Sequence, residues 1–149
     1  RQLWRVDGTG NPVKVLNTLT NVSNLAIAGS TLYFTSGNGA QLWRVDTPTS
    51  TPVQVRDLGG TAAISNLTAV GDRLFFTARD GAGVELWSSA GTAANTSRVT
   101  DLNPGTGNAN PANLIAFNGN LYFFAQDSTG GAFKLFQSTP AGVVSPIAT

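Results

Sequence analysis

The side chains of this chain that could carry chemistry are its carboxylates, and they are few. The 149 residues include eight acidic residues, of which Glu85 alone is a glutamate, and neither histidine nor cysteine. Catalysis of the Ser-His-Asp or Cys-His type is therefore impossible within this sequence, and zinc would lack its usual nitrogen and sulfur ligands. An acid–base pair would need two neighbouring carboxylates, and no motif brings two together. The sequence predicts no catalytic residue.

Asp80 and Asp127 are the carboxylates best placed to bind a metal ion. They lie in corresponding Gly-rich loops, at 80–83 and 127–131, and oxygen-rich loops can hold calcium, which takes about six to eight oxygen ligands. Each loop offers a single carboxylate, which favours a turn in which the Asp accepts hydrogen bonds from its own backbone. We therefore predict no metal and no other cofactor, with calcium at these two loops as the alternative.

Three further aspartates recur near the ends of predicted outer strands: Asp7, Asp57 and Asp101. Such groups could act as general acids or bases. The simpler interpretation is structural, because Asp commonly caps turns and pairs with nearby arginines.

Four aromatic side chains recur at the same place in a repeated sequence: Trp4, Trp43, Trp87 and Phe136. They lie in QLWRVD at 2–7 and 41–46, and in the related GVELWSS and AFKLFQS. Exposed tryptophans could stack on a sugar or another flat ligand. Recurrence in every unit instead predicts that these aromatics are structural anchors that pack between units.

A second landmark confirms the repeat in the sequence. It reads NLAIAGSTLYFTS from Asn24, NLTAVGDRLFFTA from Asn66 and NLIAFNGNLYFFA from Asn113. Each unit begins with an apolar run, a tight Gly/Asn/Asp turn and an aromatic strand. A Gly-rich loop, the Leu-Trp strand and a final apolar strand then follow. Four strands in roughly 40–50 residues is the period of a propeller blade.

This pattern predicts an all-β fold, a β-propeller built of four-stranded antiparallel blades. A β-sandwich is the structural alternative, but it does not explain why the same residues recur in each unit. The boundaries divide residues 1–149 into a half blade at 1–20 and blades at 21–60, 61–108 and 109–149. Propellers have about four to eight blades, so we expect other blades of a longer chain, or further copies of this one, to complete the ring.

Composition narrows the partners and the location. Charged residues make up 11% of the chain, against roughly 25% in an average domain. The nine basic residues are scattered and the net charge is +1, so we predict no nucleic-acid binding. No apolar run approaches the roughly 20 residues of a membrane span. Low charge with abundant Ser, Thr and Asn favours an extracellular, cell-surface or periplasmic location.

The units resemble the ELWxxDGT-type repeats of bacterial exported proteins. The resemblance runs through nearly the whole chain and is closest at 72–127, where Leu-aromatic-Phe, the Gly loop, Leu-Trp and Asp-Leu-x-Pro-Gly keep their order. In the half blade at 1–20, Asp7 retains the Asp of the DGT element. In the blade at 61–108 Ala90 stands at the corresponding position, and in the blade at 109–149 Lys134 stands where the motif has Glu. The resemblance implies a propeller in an exported repeat protein, and it brings no shared catalytic residues.

These observations favour a non-catalytic module of an exported or surface protein, whose loops bind a protein or glycan or whose blades hold other subunits. One alternative is part of a propeller enzyme whose catalytic residues lie in missing blades. The other is a carbohydrate-binding propeller, which the scarcity of aromatic residues in the loops disfavours.

Overall fold

The computed structural model describes residues 1–16 and 18–147, which form short β-strands joined by turns and loops. The strands are β1 (Trp4–Val6), β2 (Pro12–Lys14), β3 (Ser23–Ala28), β4 (Thr31–Ser36), β5 (Gln41–Val45), β6 (Val53–Asp57), β7 (Ser65–Val70), β8 (Arg73–Asp80), β9 (Gly83–Ser89), β10 (Thr96–Arg98), β11 (Ala112–Phe117), β12 (Asn120–Ala125), β13 (Lys134–Ser138) and β14 (Val144–Pro146). A 3-10 turn lies at Gly37–Gly39. No helix in this part of the chain has the length and hydrophobicity needed to cross a bilayer.

The strands form antiparallel sheets in which each strand pairs with its neighbours in sequence. β1 and β2 pair as a two-stranded sheet, here termed the first unit. The other three sheets are four-stranded meanders: blade A (β3–β6), blade B (β7–β10) and blade C (β11–β14). This confirms the predicted all-β fold of four-stranded antiparallel blades.

Each blade begins with a hairpin whose turn contains residues that accept a positive φ. Gly29 (φ 58°) and Gly71 (φ 59°) occupy it in blades A and B, and Asn118 (φ 47°) occupies it in blade C. Glycine and asparagine adopt this backbone at little cost, and the resulting turn matches the twist of the two strands. The aromatic second strand therefore starts at the same point in every blade.

The first strands of successive blades lie beside one another at the centre of the structure. β3 contacts β7, and β7 contacts β11. The meander then places the second, third and fourth strands progressively farther out, as in blades that radiate from an axis.

The hydrophobic core is divided into three layers, one at each junction between successive units. Leu3, Leu19 and Phe34 fill the layer between the first unit and blade A. Tyr33, Leu42, Phe76 and Trp87 are among the residues between blades A and B, and Phe75, Leu86, Phe123 and Phe136 are among those between blades B and C. Blades A and B thus each turn one apolar face to the preceding unit and the other to the following one.

Trp43, Trp87 and Phe136 pack against the preceding unit. Trp87 and Phe136 are buried and stack on Phe76 and Phe123, the latter pair with ring centroids 5.8 Å apart. Trp4 differs, because 54% of its surface is exposed. No other unit of the described chain lies against this side of the first unit, so the packing of Trp4 between units stays a prediction.

Candidate binding face

The two kinds of loop that vary most between units emerge on the same side of the blades. Ser23 pairs with Thr35 and Ser65 with Thr77, so the start of each first strand lies beside the end of the second. The linkers between blades and the loops between second and third strands therefore share one face, termed the loop face. Binding residues are often carried on loops that a rigid scaffold holds in place.

Asparagines with left-handed backbone mark the start of every first strand on the loop face. Asn24 (φ 51°), Asn66 (φ 54°) and Asn113 (φ 53°) occupy equivalent positions in blades A, B and C. Strand pairing shifts register at each of them, which is the signature of a β-bulge. Their recurrence was visible in the sequence, but the bulge was not, because periodicity alone does not report an extra residue.

A hydrogen-bonded set of small polar side chains fixes this rim in blades A and B. Asn24 Nδ2 donates to Thr35 Oγ1 at 3.1 Å and to the Ile64 carbonyl of blade B's linker at 3.0 Å. Asn66 Nδ2 donates in the same way to Thr77 Oγ1 at 3.2 Å. The Asn24 amide therefore holds two neighbouring blades together at their inner edge.

A groove of about 470 Å³ opens on the loop face beside this rim. Its walls include Asn21, Ser23, Asn38 and Ser65, with Arg1 as the charged side chain. Asn21 Nδ2 donates to Asn38 Oδ1 at 2.7 Å, and each amide keeps further donor or acceptor capacity. These groups can form hydrogen bonds with a neutral polar ligand, and they include no nucleophile activated by a neighbouring base.

An amide pair recurs in blade C but not in blade B. Asn110 Nδ2 donates to Gln126 Oε1 at 3.2 Å, in the place that Asn21 and Asn38 occupy in blade A. In blade B the corresponding linker residue is Ala63, which keeps the positive φ (43°) without the amide. The left-handed backbone at this linker position is thus constant, while its hydrogen-bonding groups differ between blades.

A second groove, of about 610 Å³, lies on the opposite face between blades B and C. Hairpin turns at Gly71 and Gly119 and the loop at Pro140 form much of its wall, with Asp72 and Arg73 as its charged side chains. It lacks the repeated amides of the loop face. We therefore place the candidate binding surface on the loop face.

The predicted calcium candidates lie in different blades and already have protein partners. Asp80 Oδ1 accepts the Ala82 N–H at 2.8 Å. Asp127 accepts hydrogen bonds from the Lys134 ammonium at 2.7 Å, the Thr129 hydroxyl at 2.6 Å and the Thr129 N–H at 3.0 Å, and these contacts lower the pKa of Asp127 to about 2. Across the described residues, no three Asp or Glu side chains gather closely enough to hold a metal ion.

The other recurring aspartates occupy turns or pair with arginine. Asp7 Oδ1 accepts hydrogen bonds from the Thr9 hydroxyl and from the N–H groups of Asn11 and Thr9, and these bonds lower the pKa of Asp7. Asp57 accepts the Gly59 N–H at 2.9 Å, and Asp101 lies 3.5 Å from Arg98. These contacts correspond to the structural interpretation made from the sequence.

Glu85 is a buried acid that the sequence did not single out. Its side chain is inaccessible to solvent, and Oε1 accepts the Ala109 N–H at 3.0 Å. Burial, with a smaller contribution from the negative charge of Asp101, raises the pKa of Glu85 to about 7. Oε2 has no hydrogen-bond partner among the described residues. The signal that could have revealed this site is the single glutamate within an otherwise uncharged strand.

Comparison with known proteins supports the fold alone. No protein-family model matches the sequence, and no curated protein matches it. A propeller-containing structure from a study of two prolyl endopeptidases, concerned with inter-domain dynamics in catalysis and specificity, aligns over 94% of this chain with a TM-score of 0.66. The two sequences are 14% identical, and the match covers 21% of the endopeptidase chain. This chain is thus a propeller-like β protein that spans about a fifth of that structural neighbour.

Proposed function

We propose that this chain is a non-catalytic binding or scaffolding module of an exported or surface protein, built on ELWxxDGT-type repeats. The observation that carries the proposal is the loop face, where left-handed backbone positions recur in every blade and the amides that they present change from blade to blade. A surface of this kind selects partners by hydrogen bonding rather than by net charge. The proposed partner is a protein or a glycan, and the module works without a resident cofactor.

The proposed module also joins other blades. Its first unit and blade C each leave an apolar face open, and open sheet faces of this kind are interaction surfaces. The blades that cover them come from a longer chain or from further copies of this one.

An extracellular, cell-surface or periplasmic location suits a chain with 11% charged residues and many short polar side chains.

The loop-face proposal is tested by removing amides without disturbing the backbone. Asn21 (φ 55°) and Asn38 (φ 59°) have a positive φ that glycine accepts, so Asn21→Gly and Asn38→Gly delete the amides alone. Asn118→Gly is the matched control, because Asn118 (φ 47°) lies in a turn on the opposite face. Panels of glycans and of extracellular proteins would be screened for binding to the three variants and the parent chain.

We expect selective binding that both loop-face variants weaken and the control preserves. Binding that Asn118→Gly weakens equally would contradict the proposal. Turnover of a peptide, ester or glycoside that a single substitution abolishes would instead favour the second candidate, part of a propeller enzyme.

A carbohydrate-binding propeller is the third candidate. The amides and hydroxyls of the groove match the hydrogen-bonding groups of a sugar, but the groove walls include no aromatic residue within the described chain. Binding confined to glycans in the same screen would establish this candidate over a protein partner.

A further inference from the structure

The linker between β10 and β11, here termed the B–C linker, is attached to the start of β9 by three consecutive residues. Asn108 Oδ1 accepts the Val84 N–H at 2.9 Å, and the Asn110 N–H donates to the Val84 carbonyl at 3.1 Å. Between these two contacts, the Ala109 N–H donates to Glu85 Oε1 at 3.0 Å. The Glu85 carboxyl group therefore lies at the middle of the attachment.

The same stretch of the B–C linker carries the loop-face amide of blade C. Asn110 Nδ2 donates to Gln126 Oε1 at 3.2 Å, and the Ala109 carbonyl accepts the Gln126 N–H at 2.8 Å. Asn110 directly follows the residue that is bonded to Glu85. The position of the Asn110–Gln126 pair therefore depends on how firmly the B–C linker is held against β9.

The surroundings of the Glu85 carboxyl group favour its neutral form. Its side chain is inaccessible to solvent, and Oε2 has no hydrogen-bond partner among the described residues. The charged groups that act on it are Asp101 in the B–C linker and Arg98 on β10. Arg98 Nη1 already lies 3.5 Å from Asp101 and 3.7 Å from Asp80 of β8. An ionised Glu85 would therefore be a buried third carboxylate beside one guanidinium, an arrangement that is unfavourable while the linker is closed.

The linker between blades A and B is held without an ionisable group at this position. Its Ile64 N–H donates to the Gly39 carbonyl at 2.8 Å, a contact between two backbone groups. The residue two positions before the anchor tryptophan is Gln41 in blade A, where blade B has Glu85. The A–B linker is therefore a matched internal control within the same chain.

We propose that the B–C linker is a strap that neutral Glu85 keeps closed against β9 and that ionised Glu85 releases. When the strap opens, Glu85 reaches water and Asp101 moves away from it, so that its negative charge is solvated. Asn110 then leaves its place beside Gln126, and the loop face of blade C loses its amide pair. The consequence for ligand binding rests on the loop-face function proposed above, whereas the opening of the strap does not.

The pH dependence of the strap has a definite sign. In the closed state burial raises the pKa of Glu85 to about 7, and an open strap restores the ordinary value of 4.5. The stabilisation of the closed state is therefore fully present below the open-state pKa and is lost as the pH rises through the closed-state pKa. Between pH 5 and pH 8 we expect the open population to grow roughly 10- to 100-fold.

Amide hydrogen exchange followed by NMR on the 149-residue chain measures this opening directly. After correction for the intrinsic exchange rate, protection of the Ala109 N–H should fall about tenfold or more between pH 5 and pH 8. Protection of the Ile64 N–H should stay constant over the same range. Glu85→Gln keeps an oxygen for the Ala109 N–H but cannot ionise, so in this variant the protection of Ala109 should not change with pH.

Constant protection of Ala109 in the parent chain would overturn the proposal, and this measurement requires no variant to fold. An equal loss at Ile64 would overturn it by assigning the effect to unfolding of the whole chain. A loss at Ala109 that persists in Glu85→Gln would overturn it by assigning the titration to another group. Because the exchange measurement needs no ligand, a failed binding screen would count against the loop-face function alone.

Discussion

Blades A and B place different side chains at the same repeat position, two residues before the anchor tryptophan. In blade A this residue is Gln41, whose Nε2 donates to Asp57 at 3.0 Å and whose Oε1 accepts the Trp43 indole N–H at 3.3 Å. In blade B it is Glu85, which is fully buried. Glu85 Oε2 and the Trp87 indole N–H both lack hydrogen-bond partners within the described part of the chain.

The difference follows from the linkers after each blade. Blade A is followed by a short linker, and Gln41 stays partly exposed beside Asp57, its partner across the sheet. The longer linker after blade B folds back so that Ala109 donates to Glu85 and Asn108 Oδ1 accepts the Val84 N–H at 2.9 Å. One repeat position is therefore a satisfied surface amide in blade A and a desolvated acid in blade B.

The anchors beside this position should show the largest difference between the two blades. Trp87 is 6% exposed and stacked on Phe76, whereas Trp43 is partly exposed. We expect Trp87→Ala to lower the free energy of unfolding by about 3–5 kcal/mol, the usual cost of deleting a buried aromatic side chain. Trp43→Ala should cost less, roughly 1–3 kcal/mol. Urea denaturation measures both, and equal losses would show that the two junctions are energetically alike.

Most of the blade architecture could be predicted from the sequence, because the repeated sequence pattern indicates it directly. The Leu-aromatic-Phe strand and the Leu-Trp strand recur with their turns, so the strand order within each blade could be predicted without knowledge of distant contacts. The state of Glu85 could not be predicted in this way, since its burial depends on Ala109, 24 residues away along an irregular linker. The exposure of Trp4 could not be predicted for a related reason. A repeat pattern predicts which residue is the anchor, but not whether another unit packs against it.

Replacing Glu85 with the blade A residue should sharpen the comparison. The folded-state pKa of Glu85 is raised to about 7 from an ordinary value of 4.5. Its contribution to stability is therefore fully present below the unfolded pKa and is lost as the pH rises from about 4.5 to about 7. Glu85→Gln removes this titration, so we expect the variant to be more stable than the parent at pH 8, by an amount on the order of 1–3 kcal/mol.

The pH dependence provides the internal control for that substitution. At pH 4 the parent carries a neutral Glu85, and the two proteins should unfold at nearly the same urea concentration. If Glu85→Gln brings no gain in stability at pH 8, the Glu85 carboxylate of the parent is solvated or paired in solution. A gain of equal size at pH 4 would assign the effect to packing rather than to charge.

The reverse exchange in blade A should have the smallest effect. Gln41→Glu places a carboxylate directly across the sheet from Asp57, and like charges at paired positions are unfavourable. It also removes the amide that donates to Asp57, one of the hydrogen bonds that lower the pKa of Asp57. Because both side chains are accessible to water, we expect a loss of roughly 0.2–1 kcal/mol at pH 8.

The same variant should also respond to salt and pH in the way a surface pair does. Added salt screens exposed charges, so about 1 M sodium chloride should recover much of the loss, whereas it should leave the Glu85→Gln gain largely intact. NMR titration should show the pKa of Asp57 rising in Gln41→Glu relative to the parent chain. A loss that resists salt and exceeds the effect at Glu85 would mean that position 41 is as desolvated as position 85, and the contrast between the two blades would then lie in their anchors alone.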